Sequence, residues 1–329
     1  MDTNIGAKER VTQNRLIGLF KNVLKYTYLG NWETREDNAN IEEKLLTAYL
    51  SRRGYTDKEI RSSIVKLKQS ANSLGGGLYN ANKEVYTFLR YGVNIQAEVT
   101  EKKKMVHLID WANPMENDFQ IAEEVTIQGA SDRRPDLVVY VNGIALAVIE
   151  LKRSTVSAHE GIRQNIRNQQ DGYIPRFFTT IQLLFAGNDT EGLHYGVIKT
   201  PEKFWLRWKE PCGEPCQPSH FTAKEYPNEL DRSVLQFFEP VRLLEYIHDF
   251  IIFDGGIKKT ARPNQYFAVK AAQPRVRKKQ NGIIWHSQGS GKSLTMVWLA
   301  QWIRENVSDA RVVIITDRDE LDKQIESGF

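Results

Sequence analysis

Three ionisable residues, Asp136, Glu150 and Lys152, interrupt a long apolar stretch of this 329-residue chain. Within residues 134–152, two runs rich in β-branched side chains flank an Asn142-Gly143 pair, which is typical of a β-hairpin. Glu150 and Lys152 are two residues apart, so on a strand their side chains point to the same face. A carboxylate and an ammonium group inside an apolar sheet are costly unless they pair, bind a metal ion or take part in a reaction.

The loop of this hairpin decides whether the three groups can meet. A two-residue loop at Asn142-Gly143 would turn the side chain of Asp136 away from Glu150. A three-residue loop over residues 141–143, with a bulge at Gly143, would place all three charges on one face. We predict the second register, or another bulge of equal effect, because only such a register builds a site.

The chemistry expected of this site is that of a metal-dependent hydrolase. Two carboxylates that converge at a strand end form an oxygen-rich pocket of the kind that Mg²⁺ prefers. A neighbouring lysine can orient a water molecule or stabilise a pentavalent phosphate. We therefore predict that Asp136 and Glu150 are metal ligands and that both are catalytic together with Lys152. A surface salt bridge is the alternative that the bare pattern leaves open.

A second informative stretch, residues 282–295, contains the run Gln-Gly-Ser-Gly-Lys-Ser. Residues 283–285 are predicted to form a strand, and residues 294–305 a helix that follows a glycine-containing loop. Backbone N–H groups of such a loop, with the helix N-terminus, bind phosphate groups. Lys292 would reach the β- and γ-phosphates of a nucleotide, and Ser293 a Mg²⁺ ion. The predicted nucleotide-binding residues of this loop are Gly289, Ser290, Gly291, Lys292, Ser293 and Leu294.

Composition excludes several classes of protein. Charged residues make up 26% of the chain but the formal net charge is only +4, so any nucleic-acid binding must come from local basic patches. No apolar run approaches the ~20 residues that span a membrane, and the N-terminus lacks the apolar core of a secretory signal. Two cysteines in so long a chain indicate a reducing compartment. We expect a cytoplasmic protein without a membrane partner.

The order of elements predicts an α/β protein with two domains. The first domain covers residues 1–230, its polar first ~20 residues expected to be partly frayed and its Pro- and Trp-rich residues 199–230 a linker. The second covers residues 231–329 and is expected to open with a long amphipathic helix over residues 234–253. Cys212, Cys216 and His220 lack a fourth ligand for structural zinc, so we expect free thiols there.

The sequence Pro135-Asp136 followed by Glu150-Leu151-Lys152 resembles the PD-(D/E)xK nucleases. The resemblance implies a restriction-endonuclease-like fold, with a mixed sheet flanked by helices. In one branch of these enzymes a Gln-x-x-x-Tyr motif lies along DNA, which implies DNA contacts for Gln169 and Tyr173.

These folds often add a carboxylate from a core helix. Glu43 or Glu84 could supply it here, and an ordinary solvated helix face is the alternative for each.

The glycine-containing loop resembles motif I of superfamily 2 helicases, which often lack the first glycine, here His286. Residues 311–324 resemble motif Ia, whose loop contacts the DNA backbone, here through Thr316 and Arg318. Gln265 lies where such motors use a glutamine to read adenine. The resemblance implies ATP binding by the beginning of a RecA-like domain. No Asp-Glu-x-x box or second motor lobe follows, so we expect an N-terminal fragment or a truncated gene.

The order nuclease then motor resembles the restriction (motor) subunit of type I restriction–modification enzymes. The resemblance implies ATP-driven translocation of double-stranded DNA and Mg²⁺-dependent cleavage remote from the recognition site. It also implies assembly with methyltransferase and specificity subunits. The alternatives are a DNA-repair helicase-nuclease and a non-catalytic DNA-binding scaffold with a nucleotide-sensing P-loop.

Overall fold

The computed structural model describes residues 5–96, 103–211 and 220–315. The helices of these ranges are α1 (Ile5–Asn22), α2 (Glu43–Arg52), α3 (Asp57–Asn72), α4 (Gly77–Tyr91), α5 (Ala158–Asn168), α6 (Glu229–Phe238), α7 (Pro240–Asp249), α8 (Pro263–Arg277) and α9 (Lys292–Asn306). The strands are β1 (Thr27–Asn31), β2 (Val93–Ile95), β3 (Lys104–Val106), β4 (Phe119–Glu123), β5 (Leu137–Val141), β6 (Ile144–Leu151), β7 (Leu183–Asn188), β8 (Gly192–Gly196), β9 (Leu206–Arg207), β10 (Ile251–Asp254) and β11 (Ile257–Thr260). In the described part of the chain, no helix is long and apolar enough to cross a membrane.

The main sheet has the strand order β1-β4-β5-β6-β7-β8-β9. The pairs β1–β4 and β6–β7 are parallel, whereas the other neighbouring pairs are antiparallel. β5 and β6 therefore lie at the centre of the sheet, and every residue of both strands is buried. The predicted mixed sheet flanked by helices is confirmed.

Helices cover both faces of the central strands. Leu137 and Val139 of β5 belong to a core that also contains Phe20 of α1 and Leu235 of α6. On the opposite face, Val138 belongs to a separate core together with residues of α5 and of the turn before β7. Because side chains alternate along a strand, residues in odd and even positions of β5 enter different cores. The apolar composition of β5 and β6 follows from this double burial.

A helix occupies residues 5–22, where we expected a partly frayed segment, and residues 1–4 lie outside the residues that the structure describes. α1 spans Ile5–Asn22, and its residues Leu16 and Phe20 are fully buried. A narrow apolar stripe needs only a minority of the residues of a helix, so the mostly polar composition of α1 did not indicate that one side of it is buried.

The predicted long helix over residues 234–253 is also corrected. The chain forms two helices that meet at Glu239, and Pro240 is the first residue of the second. A proline fixes its own backbone and disfavours helical geometry in the residue before it, so the first helix ends there. Residues 251–254 form strand β10 instead of continuing the helix.

The predicted strand over residues 283–285 is wrong as well. These residues have no regular secondary structure, and Ile283 and Trp285 are almost fully exposed. Within residues 5–96, 103–211 and 220–315, no strand lies beside them. A strand needs such a neighbour to accept its backbone hydrogen bonds. The helix predicted next to this run is confirmed as α9.

Candidate active site

The hairpin of β5 and β6 turns in two residues, so the predicted three-residue loop is wrong. Val141 pairs with Ile144, and both Asn142 (φ 54°) and Gly143 (φ 79°) are left-handed, as a tight hairpin turn requires. The turn is buried beneath α2, where the N–H of Glu42 donates to the carbonyl of Gly143 (2.8 Å). This packing leaves no room for the longer loop.

A bulge farther along β6 restores the register that the site needs. Tyr140 pairs with Ala145 but Val139 pairs with Ala147, so Leu146 is an extra residue in β6. Leu137 consequently pairs with Ile149, and continuing the register by one residue sets Asp136 opposite Glu150. The predicted alternative, another bulge of equal effect, is confirmed.

The three predicted catalytic residues come together at the end of this hairpin. Glu150 is fully buried, and Asp136 and Lys152 are partly buried. Oδ2 of Asp136 accepts a hydrogen bond from the backbone N–H of Leu151 (2.6 Å). The ammonium group of Lys152 donates to the carbonyl of Leu151 (2.8 Å). The backbone N–H of Lys152 donates to the carbonyl of Gly187 on β7 (2.9 Å). The Glu150 side chain lies on the side of the sheet that α5 covers, and Lys152 directly follows the last residue of β6.

α5 approaches this side of the sheet closely because it carries a glycine. A Cβ added to Gly161 would lie 3.1 Å from the Cβ of Ala186 and 3.3 Å from the Cβ of Glu150. Contacts of that length are tighter than ordinary van der Waals separations. Gly161 therefore sets how near the helix lies to the buried carboxylate.

An open cleft of about 640 Å³ begins at Asp136. It is lined by three arginines (Arg10, Arg133 and Arg134), by Gln13 and Gln164, and by three carboxylates (Glu124, Asp132 and Asp136). Arginines and amides are the side chains that most often hold DNA phosphates. The cleft leaves Asp136 accessible to a molecule from solvent.

Sequence reasoning missed Arg10, Gln13 and Gln164 in this cleft. Arg10 and Gln13 lie on α1, more than 100 residues before Asp136, so only the tertiary fold brings them together. Gln164 could have been found from its helical spacing, since it lies three residues after Gly161 on the same helix.

Gln169 and Tyr173 do not line the cleft that begins at Asp136. The amide of Gln169 donates to the carbonyl of Asn165 (2.9 Å) and accepts from the N–H of Lys199 (2.7 Å). The ring of Tyr173 lies under the guanidinium of Arg133, 4.1 Å from its centre. Tyr173 thus borders the cleft through an arginine, and DNA contacts by both residues stay a prediction.

The two helix glutamates lie apart from the central pair. Glu43 forms an ion pair with Lys68 on α3, and Glu84 is exposed on α4. Neither residue lines the cleft at Asp136.

One group of possible metal ligands in the described ranges involves His248, Asp249 and Glu305. The guanidinium of Arg90 already bonds Glu305 (2.5 Å), and Nδ1 of His248 contacts Asp249 (2.5 Å). These contacts give the three groups partners within the protein.

The glycine-containing loop contains two left-handed glycines directly before a helix. Gly289 (φ 75°) and Gly291 (φ 85°) are left-handed, and α9 starts at Lys292. The Lys292 ammonium donates to the carbonyls of His286 (3.3 Å) and Ser287 (3.1 Å) and so curls back over the loop.

Gln265, the predicted adenine reader, is buried against this loop. Its amide nitrogen donates to the carbonyl of Gly291 (2.8 Å), and its amide oxygen accepts from the backbone N–H of Arg262 (2.7 Å). A Cβ at Gly291 would collide with the same amide at 2.3 Å. The start of α8 and the loop are thus joined by one side chain.

Four other predicted residues, Cys212, Cys216, Thr316 and Arg318, lie outside the residues that the structure describes.

Comparisons with known proteins divide the chain in the same order as the two sites. A family described as the type I restriction enzyme R protein N terminus matches residues 6–203. A family described as SWI2/SNF2 ATPase matches residues 264–329. The first match contains the hairpin with its cleft, and the second contains the glycine-containing loop.

Three relatives are similar to this chain. The chain of Methanocaldococcus jannaschii assigned as the type I restriction enzyme MjaIXP endonuclease subunit is 26% identical, over 98% of this chain and 34% of its own length. The type I restriction enzyme HindI endonuclease subunit of Haemophilus influenzae is 27% identical, over 80% of this chain and 26% of its own. The corresponding SsaAORF53P subunit of Staphylococcus saprophyticus is 28% identical, over 70% and 24%. The chain thus spans about a quarter to a third of each relative's length.

Proposed function

Because this chain belongs to the family of type I restriction enzyme R protein N termini, we propose that it cuts double-stranded DNA at Asp136, Glu150 and Lys152. We further propose that cleavage depends on Mg²⁺ and is coupled to ATP-driven DNA translocation by a motor whose first part is residues 231–329. The function is restriction of foreign DNA, and we therefore place the protein in the cytoplasm. The observation that carries the proposal is the register that sets Asp136 opposite Glu150 at the start of a cleft that contains three arginines.

The residues at the end of the hairpin fit a hard divalent cation. Asp136 and Glu150 offer carboxylate oxygens from adjacent strands, which is the donor chemistry that Mg²⁺ prefers. When bound, the ion would supply positive charge for the scissile phosphate and lower the pKa of a water molecule. Oδ2 of Asp136 is held by the backbone of Leu151, so that carboxylate is oriented before any ligand arrives.

Lys152 and the cleft supply the rest of the chemistry. Lys152 directly follows the last residue of β6, and its ammonium group can donate a hydrogen bond to a phosphate oxygen whose negative charge grows during the reaction. Arginines and glutamines of the cleft hold the DNA backbone, and their contacts fix the position of the strand relative to Asp136.

The loop before α9 fits a nucleoside triphosphate. Its left-handed glycines and the helix N-terminus offer backbone N–H groups to phosphate oxygens. We propose that Lys292 leaves the loop carbonyls for the β- and γ-phosphates, that Ser293 binds the Mg²⁺ of the nucleotide, and that Gln265 contacts the base. The SWI2/SNF2 match over residues 264–329 supports an ATPase role for this region.

The partners that we propose are double-stranded DNA and the methyltransferase and specificity subunits of a type I enzyme. The three relatives are named as endonuclease subunits, which supports an assembly of several chains.

Two substitutions separate the proposed activities. Lys152→Ala should abolish DNA cutting and leave ATP binding intact, because it lies at the hairpin and not in the phosphate-binding loop. Lys292→Ala should lose ATP binding and, in the complete enzyme, cleavage that depends on translocation. The measurements are plasmid cleavage with Mg²⁺ and binding of a fluorescent ATP analogue. Each variant is the control for the other, and cutting by Lys152→Ala at the wild-type rate would reject the nuclease site.

A further inference from the structure

Glu124 has a strained backbone next to the proposed catalytic carboxylate. It follows the last residue of β4 and is left-handed, with φ 52°. Its backbone N–H donates to the carbonyl of Asp136 (2.9 Å), and the next N–H, of Val125, donates to Pro135 (3.1 Å). A non-glycine residue adopts this conformation at a cost in free energy, and such residues concentrate at functional sites. The kink keeps the pairing with residues 135 and 136 while it re-aims the side chain.

The re-aimed side chain lies between two arginines of the cleft. One carboxylate oxygen of Glu124 contacts Nη1 of Arg10 (3.3 Å), and the other contacts Nε of Arg134 (2.8 Å). The Glu124 side chain is only 12% exposed, whereas Arg10 and Arg134 are 43% and 47% exposed. The carboxylate is therefore the fixed centre of the group, and the two guanidinium groups reach from it toward solvent.

The same two arginines also form ion pairs with other glutamates. Arg10 also reaches Glu123 (3.5 Å), and Arg134 pairs with Glu33. Glu123 is buried and accepts hydrogen bonds from Gln13 (2.8 Å) and the hydroxyl of Tyr28 (2.6 Å). Burial, with the bond to Glu123, raises the pKa of Tyr28 to about 12, so its hydroxyl stays a donor at neutral pH. Arg10 and Arg134 are thus held at the cleft wall before any ligand binds.

We propose that Glu124 is a positioning residue that orients Arg10 and Arg134 toward the phosphates of the DNA strand entering at Asp136. The inference rests on the proposed nuclease function and adds Glu124 to the residues that this function uses. Glu124 does not contact the reacting phosphate in this account. Its negative charge repels phosphate and so lowers the DNA affinity, but its contacts fix the orientation of the two arginines.

The test separates orientation from charge. Glu124→Gln removes the negative charge and weakens both ion pairs, whereas Asp132→Asn removes a negative charge from the same cleft without touching either arginine. Asp132 lines the cleft and is exposed, which makes it the matched control. Glu124→Asn is a second variant, because asparagine tolerates the left-handed backbone better than most residues.

Two quantities are measured for each variant, alone or assembled with the partner subunits proposed above. The first is the affinity for a DNA duplex with Ca²⁺ in place of Mg²⁺, as a function of salt. The second is the cutting rate at saturating DNA with Mg²⁺ or Mn²⁺. Glu124→Gln should bind DNA at least as tightly as wild type but cut it roughly tenfold or more slowly, since misplaced contacts cost rate more than affinity. Asp132→Asn should gain DNA affinity in the same way, because it also removes a negative charge from the cleft, but it should not show the tenfold loss of cutting rate.

The arginines give an independent readout that needs no cutting. Arg10→Gln and Arg134→Gln should each weaken duplex binding and lower the slope of log K against log salt by about one.

Several results would overturn the inference. The first is wild-type cutting by both Glu124→Gln and Glu124→Asn, and the second is an equal loss of cutting rate in Asp132→Asn. The third is a loss of DNA affinity in the Glu124 variants that parallels a loss of melting temperature. The fourth is an unchanged salt slope in both arginine variants. Lys152→Ala is run beside them to keep the two proposals apart. If it cuts like wild type, the nuclease site fails, and if it alone is inactive, only the role of Glu124 fails.

Discussion

Asp136 lies opposite Glu150 because β6 contains one residue more than β5 between the hairpin turn and the site. The turn at Asn142-Gly143 alone would put the two carboxylates on opposite faces of the sheet, and the bulge at Leu146 reverses that outcome. A local irregularity in the strand pairing therefore determines whether the two carboxylates can share a ligand.

The turn that starts this register should tolerate no side chain at Gly143. Gly143→Ala would strain a left-handed backbone (φ 79°) and place a Cβ 2.7 Å from Leu45 and 2.8 Å from the carbonyl of Glu42. We expect a loss of more than about 1–2 kcal/mol in the free energy of unfolding, measured by urea titration. Gly256→Ala is the control, because Gly256 is also left-handed (φ 90°) but faces open space. Equal losses in the two variants would show that the contact with α2 is unimportant.

The approach of α5 to Glu150 can be tested at Gly161. Gly161→Ala must push the helix away from Glu150 and Ala186 by a few tenths of an ångström, at a cost of about 1–3 kcal/mol. We expect weaker Mn²⁺ binding as well, because the buried carboxylate loses its packing. Gly18→Ala, in the open middle of α1, should instead raise the melting temperature, since alanine favours a helix by up to about 1 kcal/mol. A Gly161→Ala variant that melts and binds Mn²⁺ like wild type would disprove this packing argument.

Gln164 and Gln169 should differ in what they contribute. Gln164 faces the cleft, so Gln164→Ala is expected to weaken DNA binding and leave the free energy of unfolding unchanged. Gln169 holds Asn165 and Lys199, so Gln169→Ala should cost about 1 kcal/mol of stability. The measurements are DNA affinity by fluorescence anisotropy and stability by chemical unfolding. A loss of DNA affinity in Gln169→Ala and a loss of stability in Gln164→Ala would instead support the DNA-binding role that the Gln-x-x-x-Tyr resemblance implies for Gln169.

Lys258 should make stability rise with pH. It is buried on β11, where its side-chain nitrogen donates to Asn82 (2.8 Å) and Gln182 (2.6 Å), and burial lowers its pKa well below the usual value. An unfolded lysine keeps its proton up to about pH 10.4. Between the lowered pKa and that pH the unfolded state binds more protons, so the free energy of unfolding increases as pH rises.

The comparison is with Lys258→Met, which has no group to titrate at this position. Wild type should gain stability relative to Lys258→Met as pH is raised toward 10, measured by thermal unfolding in a pH series. Parallel curves for the two proteins would contradict the lowered pKa.

Sequence patterns predicted the parts of the site whose chemistry is local. The apolar runs around Asn142-Gly143 predicted the hairpin, and the glycines before Lys292 predicted a loop followed by a helix. Both depend on residues within a few positions of each other, where turn and helix preferences act directly.

Features that depend on tertiary contacts were not predictable in the same way. No residue near Leu146 predicts a bulge at that position, because the bulge depends on how the hairpin turn packs beneath α2. Arg10 approaches Glu124 only through the fold, across a separation of 114 residues. Pro240, by contrast, is a local signal that a helix ends before it. We predicted a continuous helix because the apolar periodicity runs across this proline.

Binding of Mn²⁺ to the hairpin tests the central claim most directly. Calorimetric titration without nucleotide should give a heat of binding for wild type and Asp132→Asn, and this signal should be lost in Asp136→Asn and in Glu150→Gln. Both substitutions keep the shape of the side chain and remove its charge. A wild-type protein that binds no Mn²⁺, or binding that survives both substitutions, would contradict the account.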